Sequence, residues 1–203
     1  MKLLRDASED EMILTFLKGE LKSSRFGNDV KNALAELSAD EKLITEGDLS
    51  NDTQNELRKK ALGICRGYPD REIFENYPKN VKWSFVQFDA EDIEKLRYID
   101  YDYWNELSSD TSKPTDAADN IRKGITVFNV PNDNFFKAAE AIGKTAFPPV
   151  IALSCDDEML ILIEGHVRAT AYALKEGSLS GTYGYIGRCS REDLKKKEPR
   201  LVK

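Results

Sequence analysis

The sequence predicts an α+β protein: a helical N-terminal region over residues 1–80, then a mixed α/β unit over residues 81–203 whose core spans residues 125–189. Three observations predict it. Apolar residues recur at helical spacing as far as about Pro78, and from Val81 the pattern changes to the alternation of strands. The run from Pro148 to Leu174 then reads as strand, tight turn, strand, abrupt glycine and helix. Turns of this kind between changing periodicities argue for a compact mixed unit packed against helices.

In chain order, Ser8 and Glu11 stand at capping-box spacing ahead of Met12, Ile13, Phe16, Leu17 and Leu21, which predicts a first helix. Asn28 is read as the cap of a second, with Val30, Ala33, Leu34 and Leu37 along one side. A third is expected from about Asn51 to Cys65, stopped by Gly67 and Pro69. After Tyr77-Pro78, the aromatic stretch Val81 to Phe88 predicts a strand, and Asp89 caps a short helix through Arg97. Tyr98 to Trp104 alternates aromatics with acids; the loop Ser108 to Pro114 leads to a helix at about Thr115 to Lys123, ended by Gly124. Ile125 to Val130 is read as a further strand and Phe135 to Ile142 as a helix, stopped by Gly143. Val150 to Leu153 and Met159 to Ile163 form a hairpin, a helix follows Gly165, and Tyr183 to Cys189 is a closing strand.

Composition excludes several classes. No apolar run reaches membrane-spanning length, and the N-terminus turns acidic at once, unlike a secretory signal. A formal charge of −6 argues against general binding to duplex DNA, which needs a basic field. The C-terminal Lys195-Lys196-Lys197, with Arg200 and Lys203, is read as a solvated, frayed tail. The three cysteines, Cys65, Cys155 and Cys189, are too scattered for a zinc site or a disulfide framework, so a reducing cytoplasm is the expected home, and Cys189 is read as structural.

The candidate site is the turn Glu164-Gly165-His166-Val167-Arg168. A strand-to-helix junction directs free N–H groups and a positive helix end at one spot, which suits a phosphate. Gly165 serves either a backbone with positive φ or close approach of that phosphate. Arg168 sits at the wrong end of a helix for its dipole, so it needs an anionic partner, either a ligand or Glu164. Glu164 has two readings: general base or magnesium ligand beside a phosphate, or salt-bridge partner of Arg168. His166, the only histidine, is the other catalytic candidate, and Thr170 joins Gly165, His166 and Arg168 as a ligand-binding candidate. Tyr98 to Trp104 is read as core or interface packing rather than a base-stacking platform, because Asp100 and Asp102 would repel a polyanion.

These residues resemble a known family. The order Pro148-Pro149-Val150-Ile151, hairpin, then Ile161-Leu162-Ile163-Glu164-Gly165-His166-Val167-Arg168-Ala169-Thr170-Ala171-Tyr172 is similar to the core of the ParB/sulfiredoxin superfamily, over roughly Ile125 to Cys189. The resemblance implies a strand ending in Gly-x-x-Arg whose helix contacts nucleotide phosphates. ParB-type proteins, which bind and hydrolyse CTP, read Gly-Glu-Arg-Arg, whereas His166 and Val167 stand in the middle positions here. Sulfiredoxins carry a nucleophilic cysteine after the glycine; His166 in that place excludes sulfinic-acid reduction. The nearest pattern is Asp-Gly-His-His-Arg, found in a group that includes free serine kinases. No helix-turn-helix region is expected after the core, and residues 1–80 carry no part of the resemblance. The expected function is binding of a nucleotide or phosphorylated small molecule, with magnesium as the companion ion and phosphoryl transfer or hydrolysis as the chemistry. The alternative is a non-catalytic regulatory or DNA-associated module with a protein partner.

Overall fold

The computed structural model describes residues 1–175 and 177–202. Strand β1 (Lys2–Ala7) precedes helices α1 (Glu9–Leu21), α2 (Gly27–Glu36), α3 (Lys42–Thr45) and α4 (Asp52–Arg66). Then come β2 (Lys82–Gln87), β3 (Leu96–Arg97), α5 (Asp102–Leu107), α6 (Pro114–Arg122) and α7 (Asp133–Ala141). The chain finishes with β4 (Val150–Ser154), β5 (Leu160–Glu164), α8 (His166–Lys175), β6 (Tyr183–Arg188) and α9 (Arg191–Lys197). The fold is α+β, built on one six-stranded mixed sheet of order β1-β2-β6-β4-β5-β3. Strand β6 runs parallel to β4, β3 runs parallel to β5, and the other neighbours are antiparallel.

Side chains on a strand alternate between faces, and here both faces of the central strands are covered. Ile151 and Leu153 of β4, with Ile161 and Ile163 of β5, pack with Met12, Phe16 and Leu17 of α1 and Ala61 and Leu62 of α4. Their neighbours Val150, Ala152, Leu160 and Leu162 face the opposite core, with Ala117 and Ile121 of α6, Phe135 of α7 and Ala169 and Ala173 of α8. That is why both strands read as unbroken apolar runs. The sheet therefore lies between two helical layers, and the first 66 residues supply most of one of them. Burying a side chain such as Ile163 contributes about 1.5–3 kcal/mol, and a charge at that position would open the core.

Local signals act where the sequence places them. Ser8 and Glu11 form the capping box of α1, with Glu11 N donating to Ser8 Oγ at 3.1 Å. Asn51 caps α4 through Gln54 N (3.1 Å), and Gly67 ends that helix in the left-handed conformation. For α2 the cap position is Phe26, without a side-chain bond, and Asn28 lies inside the helix.

Three further expectations are corrected. The N-terminal region begins not with a helix but with β1, an exposed edge strand whose partner β2 is some eighty residues away in sequence. Its charges Lys2, Arg5 and Asp6, and a bulge between Leu3 and Arg5, discourage pairing at the free edge. Ile125 to Val130 is not a strand: Val130 N donates to Val127 O (2.9 Å), and Phe128 and Asn129 both take left-handed φ, 51° and 57°. With Gly124 before it and Pro131 after it, the apolar run closes into a two-residue turn and reaches no sheet. The C-terminal basic cluster is no frayed tail within the described residues. Ser190 caps α9, and Leu194 and Val202 are buried. Glu198, 1% exposed, accepts from Asp100 N at 2.9 Å, and Arg200 pairs with Asp100 at 2.7 Å. Lys203 lies outside the described residues.

Candidate functional site

The turn from β5 into α8 sits where the two helical layers meet at one end of the sheet. Gly165 takes φ 104°, a conformation that disfavours any side chain, and a Cβ there would lie 2.8 Å from Val150 Cγ1 and 3.1 Å from Arg168 Nη2. Backbone and packing thus both require the glycine. Helix α8 starts at His166 with no acidic residue in its first turn, so its initial N–H groups have neither an intrahelical acceptor nor a carboxylate from that turn.

Arg168 folds back over the turn. Its Nη1 donates to Glu164 Oε1 at 3.1 Å and its Nη2 to Pro149 O at 3.3 Å, while its Nε is closed off from solvent and has no partner. The pairing of Glu164 with Arg168 that the spacing allowed is therefore present, and both side chains are largely buried. His166 is half-buried, with its Nε2 solvent-excluded and unpartnered. Burial first, and then the positive charges of Arg168 and Arg66, hold its imidazole down at about 3. It is neutral at physiological pH and cannot act there as a protonated acid. Thr170 is fully buried; its hydroxyl donates to His166 O (2.8 Å) and shares a 2.6 Å hydrogen bond with Tyr98 Oη. It fixes the first turn of α8 and the ring behind it.

That ring belongs to a stack. Trp104 lies 5.1 Å from His166 and 4.6 Å from Tyr98, in near-parallel planes. The segment read as packing does pack, and it does so against the candidate histidine. Asp100 and Asp102 do not enter the stack: Asp100 is bound by Arg200 and by Asn105 Nδ2, and Asp102 opens α5.

The N-terminal layer brings groups that the sequence reading missed. Gly19, near the end of α1, faces the Glu164–Arg168 pair; a Cβ on it would come within 2.8 Å of Glu164 Oε1. Next to it, Glu20 is 5% exposed, and Arg66 Nε lies 3.1 Å from its Oε1. That contact is an ion pair without hydrogen-bond alignment, because Arg66 Nε is solvent-excluded and unbonded. Burial above all, then the neighbouring Glu164, pushes Glu20 up to about 7, against the pull of Arg66, Arg168 and Arg25. A signal for both was present: Glu20 falls four residues after Phe16 on the apolar stripe of α1, and Arg66 four after Leu62 on that of α4. A charge on a buried stripe needs a partner, and neither had one in its own helix.

Two clefts lie on the surface beyond this turn. One of about 390 Å³ runs between α2 and α4 and includes Phe26 and Arg66; another of about 200 Å³ includes Phe147, Pro148 and Tyr172. Neither is lined by Glu164, His166 or Arg168. The three cysteines are free thiols, with Cys65 and Cys189 pushed by burial up to about 12. Among the described residues, no helix is long and apolar enough to cross a membrane.

No family model matches the chain, and neither a curated protein nor a solved structure is similar enough to it to count as a match.

Proposed function

We propose that this protein binds a nucleotide or another phosphorylated small molecule at the turn formed by Glu164, Gly165, His166 and Arg168. One observation carries the reading: at the start of a helix with no acidic residue in its first turn, the Nε of Arg168 and the Nε2 of His166 are both buried without a hydrogen-bond partner. Unpaired buried nitrogens cost about 1–3 kcal/mol each, and a phosphate oxygen offers an acceptor. The helix end adds its own N–H groups and positive potential. The likeness of Gly165 to Arg168 to the Gly-x-x-Arg turn of the ParB/sulfiredoxin superfamily supports the same reading. The free, scattered cysteines suit a reducing cytoplasm.

The chain's own groups divide the work. Arg168 and the helix start hold phosphate oxygens, and His166, kept neutral, positions a phosphate through a hydrogen bond. Glu164, with Glu20 beside it, is the pair of carboxylates able to accept a proton from an attacking hydroxyl or water. The same two carboxylates are an oxygen donor set of the kind magnesium takes together with phosphate oxygens and water. Magnesium held there would offset phosphate charge. The acidic net charge supports the further proposal that duplex DNA is not a ligand.

Calorimetric titration of nucleotides and inorganic phosphate, with and without magnesium, tests the reading. Arg168→Ala should weaken binding by about 1.5–3 kcal/mol, ten- to a hundred-fold. Equal affinity in the wild type and in a destabilised Arg168→Ala would leave Arg168 only its pairing with Glu164.

A second reading, a module that docks a protein partner, is favoured by one observation. Ile125, Phe128, Val130 and Phe136 are all exposed within twelve residues, Phe128 by 59%. Phe128→Ser with unchanged solution behaviour and unchanged partner recovery would remove it.

A further inference from the structure

The geometry points to Arg66, supplied by the N-terminal helical layer, as the second jaw of the anion site, so that a phosphate dianion is gripped between Arg66 and Arg168 across the junction of the two layers. The inference rests on the phosphate reading above and names the residues that select the ligand.

Arg66 is the last residue of α4, and its side chain is 15% exposed. Its guanidinium lies 4.0 Å over the ring of Phe26, which fixes its plane. Arg66 and Arg168 border one locus: a Cβ on Gly19 would lie 3.7 Å from Arg168 Nη1, and the adjacent Glu20 pairs with Arg66 at 3.1 Å, so both arginines also act electrostatically on Glu20 and on the imidazole of His166. Each has an Nε that is closed off from water and makes no hydrogen bond, although Arg66 Nε lies in an ion pair with Glu20. Together with His166 Nε2, three buried nitrogens that make no hydrogen bond lie on the two sides of the layer junction.

Two carboxylates, Glu20 on Arg66 and Glu164 on Arg168, act as internal counter-ions. Each satisfies only part of its arginine. Arg25, exposed and 4.8 Å from the centre of the same Phe26 ring, adds a third positive charge that acts on Glu20. Two guanidinium edges fixed on separate elements match two edges of a tetrahedral dianion. A carboxylate ligand presents one edge and would leave one arginine unserved. Phosphate is therefore the chemistry that fits, ahead of a carboxylic acid.

The test uses the full chain, with inorganic phosphate, sulfate and acetate as probes in calorimetric titrations, and denaturant unfolding as the measure of fold. Wild type should bind phosphate and sulfate at least tenfold more tightly than acetate. Arg66→Lys keeps the charge and loses the fork, so it should weaken phosphate about tenfold, comparably to Arg168→Lys. Glu20→Gln keeps Arg66 and releases it from its internal partner; it should tighten phosphate several-fold, and it serves if Arg66→Lys does not fold. A folded Arg66→Lys that binds phosphate like wild type, while Arg168→Lys does not, overturns the second jaw and leaves the single-arginine reading standing. Unchanged or weaker phosphate binding by Glu20→Gln overturns it too. No binding of phosphate, sulfate or any nucleotide by the wild type overturns the phosphate reading itself.

Discussion

Replacing His166 with glutamine should flatten the acid limb of this protein's stability profile. The imidazole sits near 6.5 in an unfolded chain and at about 3 in the folded protein, through burial and the charges of Arg168 and Arg66. Each tenfold in proton affinity is worth about 1.4 kcal/mol, so the displacement corresponds to about 5 kcal/mol of unfolding free energy. The sign follows from proton binding. Between those two values the unfolded chain takes up the proton and the folded one does not, so stability falls as pH falls. The contribution is complete above 6.5 and is lost progressively on the way down to 3. His166 is the only histidine, so one imidazole signal in a nuclear magnetic resonance titration reports it without assignment. Urea unfolding of wild type and His166→Gln across the same pH range supplies the energy. Glutamine cannot protonate, so it should remove this group's share of the slope and leave that of the carboxylates; loss of the ring from the Trp104 stack shifts the whole curve by a constant and is not diagnostic. An imidazole that titrates near 6.5, or two parallel stability curves, would refute the burial argument.

Two further outcomes are expected. Thr170→Val removes the 2.6 Å hydrogen bond to Tyr98 and strands a buried phenol, at a cost of about 1–3 kcal/mol in urea unfolding. Adding Tyr98→Phe should recover most of that loss, and strict additivity of the two changes would show that the bond carries little. Gly19→Ala places a methyl group 2.8 Å from Glu164 Oε1, so it should displace that carboxylate from Arg168 and raise phosphate affinity several-fold. Helix α1 should be slightly stabilised in the same variant, because alanine is favoured over glycine in a helix by up to about 1 kcal/mol. An undisturbed Glu164–Arg168 pair in a crystal of the variant would contradict this.

What the sequence determined alone is what depends on neighbours a few residues apart. The Ser8–Glu11 capping box, the Asn51 cap and Gly67 stop of α4, and the β4–β5 hairpin are all set by local spacing, and all stand where the spacing puts them. Gly165 belongs with them: a strand that meets a helix head-on needs a residue tolerant of φ 104°. Local pattern misled where the decision was not local. Ile125 to Val130 has strand-like composition but no strand to pair with, so Phe128 and Asn129 turn it back on itself. Lys2 to Ala7 falls in the region read as helical and is a strand because Lys82–Gln87 offers it an edge.

Only the tertiary structure decided the composition of the site. Glu164 and Arg168 are four residues apart and their pairing was among the legible alternatives. Gly19, Glu20 and Arg66 lie about a hundred residues or more before the turn they face, and Trp104 more than sixty before His166. Periodicity marks Glu20 and Arg66 as charges on buried stripes, yet it cannot name a partner on another element. The partner is chosen by how α1 and α4 pack across the face of the sheet that Ile151, Leu153, Ile161 and Ile163 present. That packing brings a second arginine and a second carboxylate to the start of α8, because burial of apolar faces, which has no direction of its own, fixes where the charged ends of those helices come to rest.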